Sequence, residues 1–154
     1  MNVEVKATET NMEATAFLGV ISTGKGIFHY RTWKKSVNTE KYIEFLRELR
    51  KKHGKGKINI VMDSLRVHDA NLSWNEYLDL KIEPIFTPIY SPDYNSIEMV
   101  FSKLKRIVKR LRLRDMLKQR KRTFPELIAE AVREVSKEDV NHCIEHVMKL
   151  YGIN

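Results

Sequence analysis

The sequence predicts an α/β layered domain, a mixed sheet flanked by helices with a helical carboxyl-terminal tail. Three observations predict it. Strand-forming runs fill the first half of the chain, helical apolar spacing fills the second, and the order between them is strands, helix, strand, helix, strand, then helices. The 154 residues match one domain. With 42% hydrophobic and 31% charged residues the composition is globular, and a chain of this size needs no covalent staple.

The elements follow in order. Val3–Lys6 can form a first strand carrying Glu4. Ala14–Ser22 and Ile27–Trp33 are rich in β-branched and aromatic residues, and Thr23-Gly24-Lys25-Gly26 between them reads as the turn of a hairpin. Asn38 is placed to cap a helix to about Lys52, with Tyr42, Phe45, Leu46 and Leu49 on one face. Gly54 and Gly56 end it, and Ile58–Met62 follows as a short apolar run read as a strand buried on both faces. A short helix is expected from Asp69 to about Leu80 and a short strand over Ile82–Phe86. Pro88 and Pro92 frame a loop over Thr87–Tyr94. Asn95 opens a long helix with Ile97, Val100, Phe101, Leu104, Val108 and Leu111 as its stripe. Thr123-Phe124-Pro125-Glu126 fits a capping box and begins another helix, and Ser136–Asp139 begins the last. The expected division is a core over 1–122, without a first strand that bears an Asp, and a helical tail packed on it over 123–154.

Charge is unevenly spread. The chain carries +8 overall. Residues 101–122 hold eleven Lys and Arg against the single acid Asp115, a local +10 that leaves −2 for the remainder. A cationic strip on a near-neutral body is the footprint of a polyanion binder. A solvated helix face is the plainer reading of such a run. The lack of interspersed acids weighs against it, because like charges four apart repel. Cys143 is alone, which excludes an internal disulfide and suits a reducing compartment. No apolar run reaches membrane-spanning length, and Met1–Lys6 lacks the pattern of a signal peptide.

Two acids stand where chemistry collects. Asp63 closes the Ile58–Met62 run, and reactive groups in open α/β sheets gather at carboxyl ends of strands. Alone it reads equally well as a turn aspartate. Glu98 lies one turn into the long helix beside its apolar stripe. Alone it reads as the partner of Asn95 in a capping box, favoured by the helix dipole. As a pair, with thirty-four residues between them, one at a strand end and one at a helix start, they can converge on hard divalent cations such as Mg²⁺. The basic helix running on from Glu98 would hold a nucleic-acid backbone beside them.

The residues around both acids resemble a known family. Asp63-Ser64-Leu65-Arg66-Val67-His68 is similar to the pattern Asp-Asn-x-x-x-His. Tyr90-Ser91-Pro92-Asp93-Tyr94-Asn95-Ser96-Ile97-Glu98, with Phe101–Lys105 after it, is similar to Tyr-Ser-Pro-x-x-Asn-Pro-Ile-Glu followed by an aromatic and Leu-Lys. Both patterns, and the gap between them, resemble the DDE transposases of the mariner-like and bacterial insertion-sequence group over residues 14–115. The resemblance implies an RNase H-like fold, cut-and-paste DNA transposition and two Mg²⁺ or Mn²⁺ ions. It implies Asp63 and Glu98 as catalytic metal ligands, the second and third acids of the family's triad. Lys103, Lys105, Arg106, Lys109 and Arg110 would then meet DNA phosphates. The implied partners are element-end and target DNA, further copies of the chain, and an upstream transposase polypeptide. The implied location is the bacterial cytoplasm at the nucleoid, or a nucleus. His68 matches the motif histidine, without an assigned role.

The chain departs from the pattern at Ser64, Ser96, Thr87 and Ile89. No Asp precedes Asp63, and Glu4, Glu9 and Glu13 are the acids of the amino-terminal segment. Two functions therefore follow: a transposase catalytic domain or fragment, or an inactive remnant that keeps only DNA binding or another interaction. Lesser signals are His142 and His146, four apart on the last helix without a third ligand nearby, and Trp33 and Trp74, which can stack on bases or pack. Met62, Met99 and Met148 read as packing residues, and no Gly-rich phosphate loop is present.

Overall fold

The strand-forming runs assemble into one five-stranded sheet of order β3-β2-β1-β4-β5. A computed structural model describes residues 2–7 by their backbone, and 15–63, 70–88 and 91–153. The strands are β1 (Asn2–Ala7), β2 (Thr15–Ser22), β3 (Gly26–Lys34), β4 (Ile58–Met62) and β5 (Ile82–Phe86). The helices are α1 (Thr39–His53), α2 (Asn71–Asp79), α3 (Ser96–Leu117), α4 (Phe124–Glu134) and α5 (Lys137–Leu150). The antiparallel β1-β2-β3 meander joins the parallel strands β4 and β5 through β1, which pairs with β4 at Asn2 and Met62. The sheet is therefore mixed, as the element order predicted. Ser64–Asp69, with His68, and Ile89–Tyr90 lie outside the described residues, as do Glu9 and Glu13.

Alternation along β2 builds two cores. Ala16, Leu18 and Val20 face α1, where they meet Tyr42, Phe45, Leu46 and Leu49 together with Ile58, Ile60 and Met62 of β4. Phe17 and Ile21 face the other way, into a core made with α3, α4 and α5. There Phe17 stacks on Tyr30 and meets Phe101 edge-on, with ring centroids 5.5 and 5.4 Å apart. The tail helices contribute Leu127, Ile128, Ala131, Val140 and Ile144 to this second core. The hairpin tip is tied to α5 by the Gly24 amide, which donates to Asn141 Oδ1 at 2.9 Å.

One expectation for β4 needs correction. Ile58, Ile60 and Met62 are buried, but Asn59 is exposed and Val61 half-buried. The strand is buried on the α1 face only. The second core, under α3, is built on β2 and includes no residue of β4. Alternation rather than a continuous apolar face results.

The helix boundaries follow local signals. Asn38 caps α1 by accepting from the Lys41 amide at 2.9 Å. Reciprocal capping boxes form at Thr123–Glu126 and Ser136–Asp139. α3 ends in a Schellman turn: the Gln119 amide donates to Met116 O at 3.2 Å and the Arg120 amide to Asp115 O at 2.8 Å. Gln119 takes a left-handed conformation there, with φ 53°.

Candidate active site

β4 delivers Asp63 to the carboxyl end of the sheet, one residue past its last ladder position. β5 ends beside it. The Thr87 amide donates to Met62 O at 2.9 Å, extending the β4–β5 pairing by one step. That step places the Thr87 hydroxyl to donate to Asp63 Oδ1 at 3.0 Å. A second donor reaches the same oxygen from α3: Asn95 Nδ2 lies 3.1 Å from Asp63 Oδ1. Asn95 is fully buried, and its Oδ1 caps α3 by accepting from the Ile97 amide at 3.4 Å. A carboxylate only accepts and a backbone amide only donates, so the orientation of the Asn95 amide is forced. The expected capping box between Asn95 and Glu98 is replaced by this arrangement, in which the cap side chain faces Asp63.

Glu98 sits in the first turn of α3, half-buried. Burial pushes its carboxyl above the usual carboxylate range, the negative charge of Asp63 adds to the rise, and Lys105 opposes it. The two acids therefore act on each other across one partly desolvated neighbourhood, although thirty-four residues separate them. Neighbouring carboxylates favour a bound cation, and oxygen donors of this kind suit a hard divalent ion that keeps water or phosphate as its remaining ligands. Among the described residues no group of three or more His, Cys, Asp or Glu gathers as a metal site. His142 and His146 are both exposed on α5.

The five basic residues expected to meet DNA divide into two sets. Lys103 forms an ion pair with Asp139 of α5, and Arg110 with Glu134 of α4. The Lys103 ammonium, helped by hydrogen bonds from Ser136, holds the Asp139 carboxyl at about 2. Lys105, Arg106 and Lys109 are exposed on α3. Lys105 and Lys109 follow Glu98 by two and three helical turns on one face. At the far end of α3, Arg122 pairs with buried Asp115 and with Glu130, and Arg114 also pairs with Glu130. Lys103, Arg110, Arg114 and Arg122 of the cationic strip thus hold helices together.

The model of the DDE superfamily endonucleases matches residues 2–121. The chain belongs to that family. The chain also shares its fold with solved structures. The catalytic domain of Mos1 mariner transposase aligns with a TM-score of 0.74 over 98% of this chain and 77% of that one, at 15% identity. The protein of a pre-cleavage Mos1 transpososome aligns with a TM-score of 0.73, covering 95% of this chain and 45% of that one, at 15% identity. The catalytic core of BIV integrase aligns with a TM-score of 0.59 over 96% and 97% of the two chains, at 11% identity. These likenesses show the RNase H-like fold. The chain spans 45% of the matched chain of a simian T-cell lymphotropic virus intasome. No curated protein matches the sequence.

Sequence reasoning singled out Asp63 and Glu98 and missed the two donors that converge on Asp63 Oδ1. Thr87 entered as a departure from the family pattern, and Asn95 as a helix cap and as the asparagine of the second motif. Asn95 carried the one available signal, since Ser, Thr or Asp would cap equally well and none offers an N–H pair. A cleft of about 490 Å³ lies at the opposite, amino-terminal ends of β4 and β5, lined by Lys57, Tyr77, Lys81 and Glu83 among others, remote from this site.

Proposed function

We propose that the chain is a transposase catalytic domain, or a fragment of one, for metal-dependent DNA cleavage and strand transfer. The observation that carries this reading is the hydrogen bond from Asn95, the cap of α3, to Asp63 at one end of the sheet, with Glu98 in the first turn of that helix and exposed cations further along it. Mg²⁺ or Mn²⁺ held there would lower the pKa of an attacking water and stabilise the departing oxygen. The Mos1 transposase catalytic domain has been solved with Mg and with Mn, which supports the same ions here.

Asp63 and Glu98 serve as the anionic ligands and hold reacting groups near the scissile phosphate. Lys105, Arg106 and Lys109 neutralise phosphates along the bound strand and set its path past the acids. Lys103 and Arg110 support that path indirectly by holding α5 and α4 against α3. In cleavage the water oxygen bonds to phosphorus as the P–O3′ bond breaks, leaving a 3′-hydroxyl and a 5′-phosphate. In strand transfer that hydroxyl bonds to a target phosphorus and displaces a target 3′-oxygen. Element ends and target DNA are the substrates, and copies of this chain its partners in the active assembly.

A second reading has its own observation. No Asp occurs before Asp63, so the chain carries two acids of the expected three. In this reading the protein binds DNA without cutting it. Incubation of a labelled element end with the full chain and Mg²⁺ separates the two. Nicking that is lost in Asp63→Ala and Glu98→Ala supports the catalytic reading. Salt-sensitive binding with no nicking supports the remnant.

A further inference from the structure

We propose that Asn95 and Thr87 are positioning residues that lock the Asp63 carboxylate to the start of α3, so that Asp63 and Glu98 are set for a divalent cation before it arrives. The inference rests on the metal-site reading of these acids. It concerns how the site is assembled, which neither the family match nor the fold specifies.

Three elements converge on Asp63 Oδ1. β4 supplies the aspartate, the end of β5 supplies the Thr87 hydroxyl at 3.0 Å, and the cap of α3 supplies the Asn95 amide at 3.1 Å. Both donors are shielded from water, Thr87 at 6% exposure and Asn95 at 0%. Neither can exchange its acceptor for solvent without opening the core. Two donors on one oxygen fix the plane of the carboxylate as well as its position.

The choice of residue at position 95 fits this double task. A helix cap needs only an acceptor, and Asn95 Oδ1 fills that need at Ile97. The same side chain must also donate across thirty-two residues to Asp63. Ser would cap and fall short, and Asp would cap and set a third negative charge against Asp63. Asn does both. Because Glu98 lies three residues along the same helix, the bridge from Asp63 to the cap also fixes where Glu98 stands relative to Asp63. A movement of α3 would pull on both acids together. Preset ligands bind a cation without the ordering cost of assembling them.

Mn²⁺ titration of the full chain, read from the electron paramagnetic resonance signal of unbound Mn²⁺, tests the proposal, with metal-free thermal unfolding as the check on folding. Thr87→Val removes one hydroxyl at nearly constant shape. Asn95→Ser keeps a capping oxygen and removes the bridge. Each should weaken Mn²⁺ binding by about 10- to 100-fold. Thr87→Ser, which keeps the hydroxyl, should bind as the parent does, an outcome that a general loosening of the fold would not give. If Asn95→Ser does not fold, the Thr87 pair decides. Thr87→Val binding Mn²⁺ as tightly as the parent, while Asp63→Ala has lost it, overturns the positioning role and leaves the metal site standing. A parent that binds no Mn²⁺, or an Asp63→Ala variant that binds it unchanged, overturns the metal site and the positioning role with it.

Discussion

Glu98 is held in two conditions that disfavour its charge, half-burial and a neighbouring aspartate. Its folded carboxyl keeps a proton to higher pH than the unfolded chain does. The stability tied to this group is therefore full at acid pH and declines as pH rises from about 4.3 through the raised folded value. Without metal, Glu98→Gln should melt higher than the parent at neutral pH and flatten that part of the profile, which calorimetry from pH 4 to 8 checks. A cation reverses the penalty. At a Mg²⁺ concentration a hundred times its dissociation constant, the parent should gain about 2.7 kcal/mol, or roughly 5–10 °C in melting temperature. Glu98→Gln and Asp63→Asn should lose most of that gain. Both acids were legible in the sequence because each stands at the end of a recognisable element. The Asn95 bridge was not, because a hydrogen bond between residues thirty-two positions apart leaves no local pattern.

The α3–α4 junction depends on a cluster of charges that looked from the sequence like part of a nucleic-acid surface. Asp115 is buried at 4% exposure and accepts twice from Arg122, at 2.6 and 3.0 Å. Arg122 and then Arg114 hold the Glu130 carboxyl at about 2. Depressed carboxyls contribute stability that is present above their unfolded values, and it is lost as pH falls through the folded ones. That window runs from about 4.5 down to about 2 for Glu130 and from about 3.8 down to about 2 for Asp139. Urea melts across this range should show a steep loss of stability. Arg122→Ala should start lower and fall less steeply, since Asp115 is left buried without its partner. The end of α3 offers a gain. Gln119 meets the left-handed conformation of its Schellman turn with a Cβ, so Gln119→Gly should raise stability by roughly 0.5–1 kcal/mol, read from the urea midpoint. Capping boxes, glycine stops and apolar spacing made the helices legible. The sheet was less so: the insertion of β1 between β2 and β4 joins residues sixty positions apart, and the bare face of β4 depends on where α3 lands.

Across the whole molecule the charge asymmetry resolves into an internal and an external share. Lys103, Arg110, Arg114 and Arg122 face carboxylates of α3, α4 and α5, while Lys105, Arg106 and Lys109 face solvent. The salt dependence of DNA binding should sort them. Alanine at Lys105, Arg106 or Lys109 should weaken binding uniformly across sequences and lower the slope of log affinity against log salt by about 1 each. Alanine at Lys103 or Arg110 should change that slope little and lower the melting temperature instead. Fluorescence anisotropy over a salt series, paired with thermal melts, reads both. No helix among the described residues is long and apolar enough to cross a membrane.

That Glu98, Lys105 and Lys109 ride on one uninterrupted helix turns α3 into a graduated ruler. At 1.5 Å per residue the cations lie about 10 and 16 Å from the acid along its axis. The bond to be cut would then be measured off from gripped phosphates by the spacing of a rigid rod. One residue inserted between Glu98 and Lys105 would swing the cations about 100° around the rod, leaving grip and blade on different sides while each remained intact.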